Sequence, residues 1–462
     1  MPITIQAQFD SAVVEAHKDV FTRSYLEGRN TIIEFDMRKR DYQKEFGTTI
    51  SWSRKTYRVD VHEFSTFHSP ILYRFIVARG YYFDEKRRRI DFTPKIAEVS
   101  THQHMSKSVI RLSCFLAVIC GVSLRNIATI FRFLFEIPAT KSTIKRWIDE
   151  VGEHLPCEEE ILKKLKDVKE PTQCHIDAYY PMGTNRCVMV IKDDFDRILI
   201  THETDSENSV EAKKFLKKIK GCGIKVTAAF SDYSKSFTEA IKEVFPGARF
   251  QADHFHTAKN IWKHLKKALL EYRKDLKGSG EKEKNQEMID VASKLWKLRW
   301  SLLKKPSNLS VEEESAIEAL EKSDSFIAGF RSILRQVVNL FDHSSTELQA
   351  QIKLKNLKSQ IDQTESSHLA KIGKFFDDHW HEAMQYLKKR GLGKYRRSSN
   401  SESGMRILRR LEKNHDGIRS EVTRKNYIKI YQMIKYLSVD VTDFLDPATS
   451  IQNGSEIESI QM

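Results

Sequence analysis

The sequence lacks the cysteine pairs and the long apolar stretches that mark several large classes of protein. Its six cysteines (114, 120, 157, 174, 187 and 222) are scattered without a CxxC pair, a spacing that suits neither a disulfide framework nor a zinc ribbon. No stretch approaches the ~20 apolar residues that span a bilayer, and no charged segment followed by an apolar core begins the chain. We therefore expect reduced thiols, a cytoplasmic location and no membrane association.

The chain has instead a large excess of positive charge. Its 462 residues contain 77 Lys and Arg against 63 Asp and Glu, a formal net charge of +14. This balance favours a polyanionic partner, because neutralising phosphates releases their condensed counterions. A basic globular protein with no nucleic-acid role is the alternative. A chain of this length exceeds what one hydrophobic core usually supports, so several domains are expected.

Changes in composition and periodicity divide the chain into six predicted segments. A basic region of unclear fold (1–105) precedes a helix-turn-helix region (106–170). An α/β core (171–277) is followed by an inserted all-α domain (278–390), which we expect to begin where Gly278-Ser-Gly280 breaks a long helix. A closing part of the core (391–445) and a disordered tail (446–462) complete the chain.

The second segment has the pattern of a helix-turn-helix. Ser123 is a plausible N-cap of one helix, and the segment Glu136-Ile-Pro-Ala-Thr interrupts helical spacing before it resumes. The buried side of the second helix is predicted to hold Ile144, Trp147 and Ile148. Its polar residues are candidates for contacts with DNA bases: Lys141, Ser142, Thr143, Lys145 and Arg146. An ordinary helical hairpin is the open alternative.

The third segment alternates between strand and helix patterns. The order strand, strand, strand, helix, strand, helix, strand is that of a ribonuclease H-like core, in which an antiparallel meander joins parallel strands. The predicted strands are 173–178, 186–192, 197–202, 225–231 and 249–252, and the predicted helices are 209–220, 233–244 and one from His256 onward.

Three carboxylates in this pattern are candidates for catalysis. Asp177 lies within the first predicted strand, Asp232 follows the fourth, and Glu402 lies far downstream on a basic background. Carboxylates of this kind can hold two Mg²⁺ ions, for which Mn²⁺ often substitutes, and two such ions support cleavage of a phosphodiester. Each acid also has a structural interpretation as a helix or strand cap, and Glu382 and Glu412 are rival third acids.

Several motifs in order resemble a known family. Phe230-Ser-Asp-Tyr-Ser-Lys-Ser-Phe, Val244-Phe-Pro-Gly-Ala-Arg, Gln251-Ala-Asp-His-Phe-His-Thr-Ala-Lys-Asn and Asn400-Ser-Glu are similar to segments of the DDE transposases of bacterial insertion sequences and their Mutator-like relatives. The resemblance implies that Asp177, Asp232 and Glu402 are the catalytic acids and metal ligands. It also implies a supporting role for Asp253 and His256. The cysteine-rich zinc finger that close relatives often carry is absent.

The implied activity is DNA transposition: binding of the terminal inverted repeats of an insertion sequence, metal-dependent cleavage, and strand transfer into target DNA. Acting on two ends requires at least a homodimer, and such an enzyme would be associated with the nucleoid. Candidate phosphate contacts outside the helix-turn-helix are Lys259, Lys263, Arg396, Arg397, Arg406 and Arg409. A catalytically silent DNA-binding regulator and a ribonuclease H-like nuclease without strand transfer are the alternatives.

Other aromatic and histidine residues have weaker signals. Trp296 and Trp300 lie four residues apart on one helical face, which favours two core aromatics over a surface on which a DNA base stacks. His175 and His254 flank the acids and are interpreted as core or supporting residues.

Overall fold

The computed structural model describes residues 12–27, 30–66, 69–94, 96–97, 99, 105–181, 184–344, 346–388, 399–414, 418 and 420–445. These residues form two compact units. The first consists of Met1–Lys169, Tyr180–Arg186 and Arg406–Met462, and the second of Glu170–Tyr179 and Cys187–Met405. The predicted disordered tail and the Arg396–Arg397 pair lie outside the described residues.

The amino-terminal part of the first unit contains a five-stranded sheet that the sequence left unclassified. Its order is β1-β2-β4-β3, with β5 pairing beside β4. Strands β2 and β4 are parallel, and the other pairs are antiparallel. The strands are β1 (Phe21–Glu27), β2 (Asn30–Asp36), β3 (Ser51–Thr66), β4 (Ser69–Phe83) and β5 (Arg89–Phe92), with short helices α1 (Ala12–Ala16) and α2 (Tyr42–Phe46).

Alternation along these strands divides the sheet into an apolar and a polar face. Phe35, Tyr73 and Phe75 lie in a buried cluster on one face. His17 is buried against Phe75, with ring centroids 5.1 Å apart, and burial lowers its pKa to about 4. On the polar face, acidic side chains of the strands pair with arginines, so their charge is neutralised where it is partly buried.

The rest of the first unit is helical. Helix α5 packs against α16, and Gly152 allows their close approach because a Cβ at this position would lie 2.3 Å from Cβ of Asn426. The helices are α3 (Lys107–Cys114), continued by a π-helical turn (Phe115–Ile119), then α4 (Leu124–Phe135), α5 (Lys141–His154), α6 (Glu158–Val168) and α16 (Glu421–Leu437).

The local predictions for α4 and α5 are confirmed. The Ser123 side chain accepts a hydrogen bond from the backbone N–H of Asn126 and caps α4. Ile144, Trp147 and Ile148 are at most 1% exposed. Two helices joined by a five-residue connection are therefore present, and their function as a DNA-binding helix-turn-helix stays a prediction.

The second unit contains the predicted α/β pattern. Its sheet has the order β10-β9-β6-β7-β8, in which β6, β7 and β8 form an antiparallel meander and β6, β9 and β10 run parallel. The elements are β6 (Gln173–Tyr179), β7 (Cys187–Asp193), β8 (Ile198–Thr204), α7 (Ser209–Gly221), β9 (Ala228–Ser231), α8 (Lys235–Val244) and β10 (Arg249–Ala252).

The predicted break at Gly278-Ser-Gly280 is wrong. Helix α9 (His254–Glu283) runs through both glycines and ends at Lys284, which adopts a left-handed conformation (φ 56°). Gly280 remains helical and is buried where α9 meets the next helix, since a Cβ there would lie 3.0 Å from Cβ of Met288. The glycine thus serves close packing between two helices rather than termination of the first.

The insertion is helical, as predicted. Its helices are α10 (Gln286–Leu298), α11 (Val311–Ser323), α12 (Ser325–Asp342), α13 (Glu347–Asp362) and α14 (Ser367–Met384). Phe330, Leu334 and Phe376 are fully buried in a cluster that extends to Phe230 of β9. A search of the described residues finds no helix with the length and apolar character that crossing a membrane requires.

Candidate active site

The parallel strands of the second unit carry Asp177 and Asp232 to equivalent positions. Residues Cys174 and His175 of β6 pair with Ala229 and Phe230 of β9. Two positions beyond His175 is Asp177, and two positions beyond Phe230 is Asp232. Residues in register on neighbouring parallel strands lie about 4.8 Å apart and point to the same face of the sheet. Continued for two positions, this register places Asp177 beside Asp232, although 55 residues separate them in the sequence.

A third aspartate continues this row. Ala252 of β10 pairs with Ser231 of β9, so Asp253 follows β10 at the level at which Asp232 follows β9. The Asp253 side chain is 8% exposed and accepts a hydrogen bond from the backbone N–H of Phe255 at 2.7 Å, which caps α9. Asp253 therefore caps the helix and also lies at the edge of the sheet that carries the other two acids.

The turn after β9 fixes the Asp232 carboxylate. Its Oδ1 accepts the backbone N–H of Ser234 at 2.9 Å, and the side chain is half-buried. The Ser234 hydroxyl donates to the carboxylate of Glu207, which connects this turn to the segment after β8. Asp177 is likewise half-buried and accepts the backbone N–H of Ala178 at 2.8 Å. Both acids are thus oriented by backbone donors.

Glu402 lies on α15 (Ser399–Asn414), but its side chain falls outside the described residues. The structure accounts for one of the two alternative third acids. Glu412 is buried in the first unit and accepts a hydrogen bond from Arg424 at 3.2 Å, so it serves an internal ion pair. The other rival, Glu382, is half-buried near the end of α14 in the second unit.

A buried glutamine fixes the end of the insertion to the edge of the sheet that carries Asp253. Gln251 of β10 is fully buried, and its Oε1 accepts the backbone N–H of Tyr386 at 2.8 Å. Its Nε2 donates to the carbonyl of Ala383 at 3.1 Å. His254 lies 3.1 Å from the same carbonyl through Nε2, and its ring packs against Tyr386. The chain thus leaves the insertion from a fixed point beside Asp253.

Sequence reasoning missed Gln251. A buried amide with two correctly placed backbone partners depends on an element more than 130 residues away. The only local signal is a polar residue within the short strand Arg249–Ala252, directly before the Asp253 motif.

Tyr233, which follows Asp232, contacts residues of both α9 and α14. Its hydroxyl is 2.5 Å from the Thr257 hydroxyl, and its ring is 4.7 Å from that of His379. Burial raises the pKa of Tyr233, and the negative charges of Glu382 and Asp253 raise it further. The phenol therefore stays neutral beside the acids.

The histidines divide into structural and surface residues. His175 is buried and stacks on Phe230 with ring centroids 4.5 Å apart, and burial lowers its pKa to about 4. His254 holds the end of α14, as described above. His256 is half-buried on the first turn of α9, next to Phe255, so it remains accessible at the same edge.

The predicted DNA contacts of the first unit are mostly exposed. On α5, Ser142, Lys145 and Arg146 are exposed, while Lys141 and Thr143 are half-buried. Lys145 forms an ion pair with Asp149 one turn along the helix. Arg406 and Arg409 are exposed on α15.

Helix α9 carries a basic groove. Lys259, Lys263, Lys266 and Lys267 line a cavity of about 880 Å³ together with Trp300, and all four lysines are exposed. The lining residues include no acid, although Lys304 and Lys305 at the groove pair with Glu313 and Asp342. Because α9 starts at Asp253, the lysine row extends away from the row of aspartates.

The favoured interpretation of the two tryptophans as core residues is wrong. Trp296 is 44% exposed and Trp300 is 54% exposed. Cations cover their rings instead: Arg299 lies 4.0 Å from the Trp296 centroid, and Lys266 lies 4.8 Å from the Trp300 centroid. Helical spacing fixes which side chains share a face but does not fix what that face contacts.

The described residues fit a divalent metal in part. Carboxylate oxygens are the ligands that Mg²⁺ prefers, and Asp177 and Asp232 supply two carboxylates from adjacent strands. Within the described part of the chain, no three His, Cys, Asp or Glu side chains cluster closely enough to hold an ion. The described site therefore needs a further ligand.

Comparison with known proteins points to one family. No curated protein matches the chain in sequence. A solved structure titled "Drosophila P element transposase strand transfer complex" is similar at 11% identity, covering 76% of this chain and 94% of that chain, with a TM-score of 0.35. A family model described as "Transposase" matches residues 177–402. The match supports a DDE transposase, and its limits coincide with Asp177 and Glu402.

Proposed function

We propose that this protein is a DDE-type transposase that cleaves the ends of an insertion sequence, related to the Mutator-like group, and joins them to target DNA. The observation that carries the proposal is the register of the sheet. It brings Asp177 and Asp232 to neighbouring positions at one edge, and the transposase match begins at the first of them. The strand order of this unit supports the proposal of a ribonuclease H-like core.

In this proposal Asp177, Asp232 and Glu402 hold two Mg²⁺ ions. Bound ions would supply an activated oxygen nucleophile and stabilise the leaving oxygen, with Mn²⁺ as a substitute. Asp177 and Asp232 are positioned by backbone donors, and Gln251 fixes the start of the chain segment that leads to Glu402. Asp253 and His256 support the site, Asp253 by holding the first turn of α9 and His256 from within that turn.

DNA contacts are divided between the two units. In the first, the exposed face of α5 reads the terminal inverted repeats, and Arg406 and Arg409 contact phosphates. In the second, the α9 lysines contact the backbone of the strand that enters the site. Arg396 and Arg397 are further proposed contacts. Joining two ends in one reaction requires at least a homodimer on double-stranded DNA.

The test is an assay of cleavage and joining. Purified protein is incubated with Mg²⁺ or Mn²⁺ and labelled DNA that carries both ends of the mobile segment and a target plasmid. Joined products are expected from the wild type, and Asp177→Asn or Asp232→Asn should bind the DNA without cutting it.

The two alternatives give different products. DNA binding without cleavage under every metal condition would identify a regulator. Cleavage without joined product would identify a nuclease. Joining that survives in the Asp232→Asn variant would remove this residue from the site and contradict the proposal.

A further inference from the structure

The end of the amino-terminal sheet buries one face and leaves the other open. On the buried face, Gly80 lies under an aromatic cluster, and a Cβ there would be 2.5 Å from the Phe92 ring. Trp52 packs on Phe92 and on Tyr42 of α2, with centroids 5.7 Å and 5.5 Å apart. This cluster closes the face, so neither stacking nor binding is available there.

The opposite face, which continues the face of Tyr73, Phe75 and Val77, carries exposed aromatic residues at this end of the sheet. Alternate residues of a strand point to one side, so Arg79, Tyr81 and Phe83 of β4 share a face. Tyr57 of β3 pairs with Val77 of β4 and therefore lies on that face as well. Phe83 is 55% exposed and Tyr57 is 45% exposed. Exposed aromatic surface that forms a patch is typical of an interaction site.

Positive charge surrounds these rings. The Arg89 guanidinium lies 4.1 Å from the centroid of the Tyr81 ring. Lys86 and Arg87 are exposed in the turn between β4 and β5. A bulge between Trp52 and Thr56 carries two more exposed cations beside Arg79: Arg54 and Lys55.

The acids of this region leave the charge positive. Asp84 pairs with Arg88 across the turn, and Asp91 pairs with Arg89 along β5. Glu85 is exposed in the same turn. Between residues 54 and 91 the chain contains nine Lys and Arg against five Asp and Glu, so the charge of this segment remains positive.

We propose that this aromatic–arginine face, formed by Tyr57, Arg79, Tyr81, Phe83 and Arg89, binds a single strand of DNA. Exposed aromatic rings in a positive field are a platform on which unpaired bases stack while cations contact the phosphates. Successive rings on one face of a strand repeat every ~6.8 Å, which accommodates an extended strand. A duplex presents no free base faces, so it would gain nothing from the rings.

This inference extends the proposed function, which places DNA contacts on α5, α9 and α15 and at Arg396 and Arg397. It gives the amino-terminal sheet a role in holding an unpaired strand. It does not depend on the chemistry of the aspartates, because binding can be measured without metal.

The experiment compares binding of a labelled strand of about 12 nucleotides, a length within the usual site size, with binding of its duplex. Fluorescence anisotropy is measured on the full chain in EDTA. The Tyr57→Ala, Phe83→Ala double variant should weaken strand binding at least about tenfold and duplex binding less than about twofold. Phe133→Ala, which removes a ring that is 78% exposed on α4, is the matched control and should change neither.

If the double variant melts at a lower temperature, a second variant separates the loss of the rings from a loss of stability. Phe83→Leu keeps apolar bulk but removes the flat ring, and it should also weaken strand binding selectively. Unchanged strand affinity in both variants, or equal losses for strand and duplex, would overturn the proposal. If the wild type binds the strand as predicted but does not cleave DNA, the result contradicts the proposed catalytic role of the aspartates and leaves this inference intact.

Discussion

The two sheets of this protein use carboxylates in opposite ways. In the amino-terminal sheet, Asp60 accepts two hydrogen bonds from Arg74, at 2.9 and 3.0 Å, across paired strands. In the other sheet, Asp232 follows the end of a parallel strand and accepts a backbone N–H, with no ion pair among the described residues. Asp60 is paired across the strands and stabilises the sheet, whereas Asp232 lies beyond the end of its strand, where a ligand can reach it. The contacts of each carboxylate therefore separate a structural acid from a candidate catalytic acid.

A matched pair of substitutions, Asp232→Asn and Asp60→Asn, tests the difference between the two sheets most strongly. Asp232→Asn should lower cleavage by at least about 100-fold, above the ~10–100-fold typical of residues that only support a metal ligand. Its melting temperature should hardly change, because Asn can still accept from the backbone. Cleavage rates and thermal melts of the two variants are the measurements.

Asp60→Asn should give the reverse result. It leaves the Arg74 side chain, which is 9% exposed, with a weakened partner, at a cost of about 1–3 kcal/mol in the free energy of unfolding. Cleavage per folded molecule should stay at the wild-type level. Equal effects of the two substitutions on stability and on cleavage would remove the distinction between the sheets.

The Gln251 contact allows a test of whether the end of α14 must be held beside Asp253 for cleavage. Gln251→Ala removes the acceptor of the buried Tyr386 N–H, at a cost of about 1–3 kcal/mol, while the Ala383 carbonyl keeps its contact with His254. We expect slower cleavage well below the melting temperature, because the segment toward Glu402 loses its fixed start. Gln251→Glu, which can still accept from Tyr386, should restore part of the rate; wild-type cleavage in Gln251→Ala would show that the contact serves stability alone.

Helix packing in the two units offers a third comparison. Gly152→Ala places a Cβ 2.3 Å from Asn426 and 2.9 Å from its Cα, so α5 and α16 must separate, at about 1–3 kcal/mol. Gly329→Ala, in α12, meets nothing within 4 Å and should stabilise by about 0.4–1 kcal/mol. Urea unfolding measures both. Similar signs for the two substitutions would contradict the packing described for α5 and α16.

The smallest expected effect concerns pH. Burial lowers the pKa of His17 in one sheet and His175 in the other from 6.5 to about 4. The unfolded chain then binds protons that the fold excludes, so stability is present above pH 6.5 and falls as the pH drops toward 4. His175→Phe keeps the stack on Phe230 and should make this fall shallower. Thermal melts between these pH values test it, and an unchanged slope would argue against burial of a neutral His175.

Sequence patterns predicted the second unit well and the first poorly. Strand alternation and the Asp232 turn are local signals, so the α/β order emerged from them with small errors at the ends. In the amino-terminal region, β4 pairs in parallel with β2 across 40 positions of sequence, and such pairing leaves little local trace.

Local sequence patterns also predicted only part of the candidate site. The register that aligns Asp177 with Asp232 followed from the predicted strand order, but the Gln251 contact depends on the end of an insertion. The exposure of Trp296 and Trp300 was missed because their helical spacing is the same on a core face and on a surface face. The long α9 was missed because Gly280 fits a tight helix contact as well as it fits a break.

The most direct test of the central claim is a change of metal preference at Asp232. A thiolate is a softer ligand than a carboxylate and binds Mg²⁺ poorly, whereas Mn²⁺ tolerates it better. We predict that Asp232→Cys is inactive in cleavage with Mg²⁺ and regains activity with Mn²⁺, while Asp60→Cys behaves like the wild type with either metal. Wild-type cleavage by Asp232→Cys in Mg²⁺ would contradict a metal-binding role for this strand-end carboxylate.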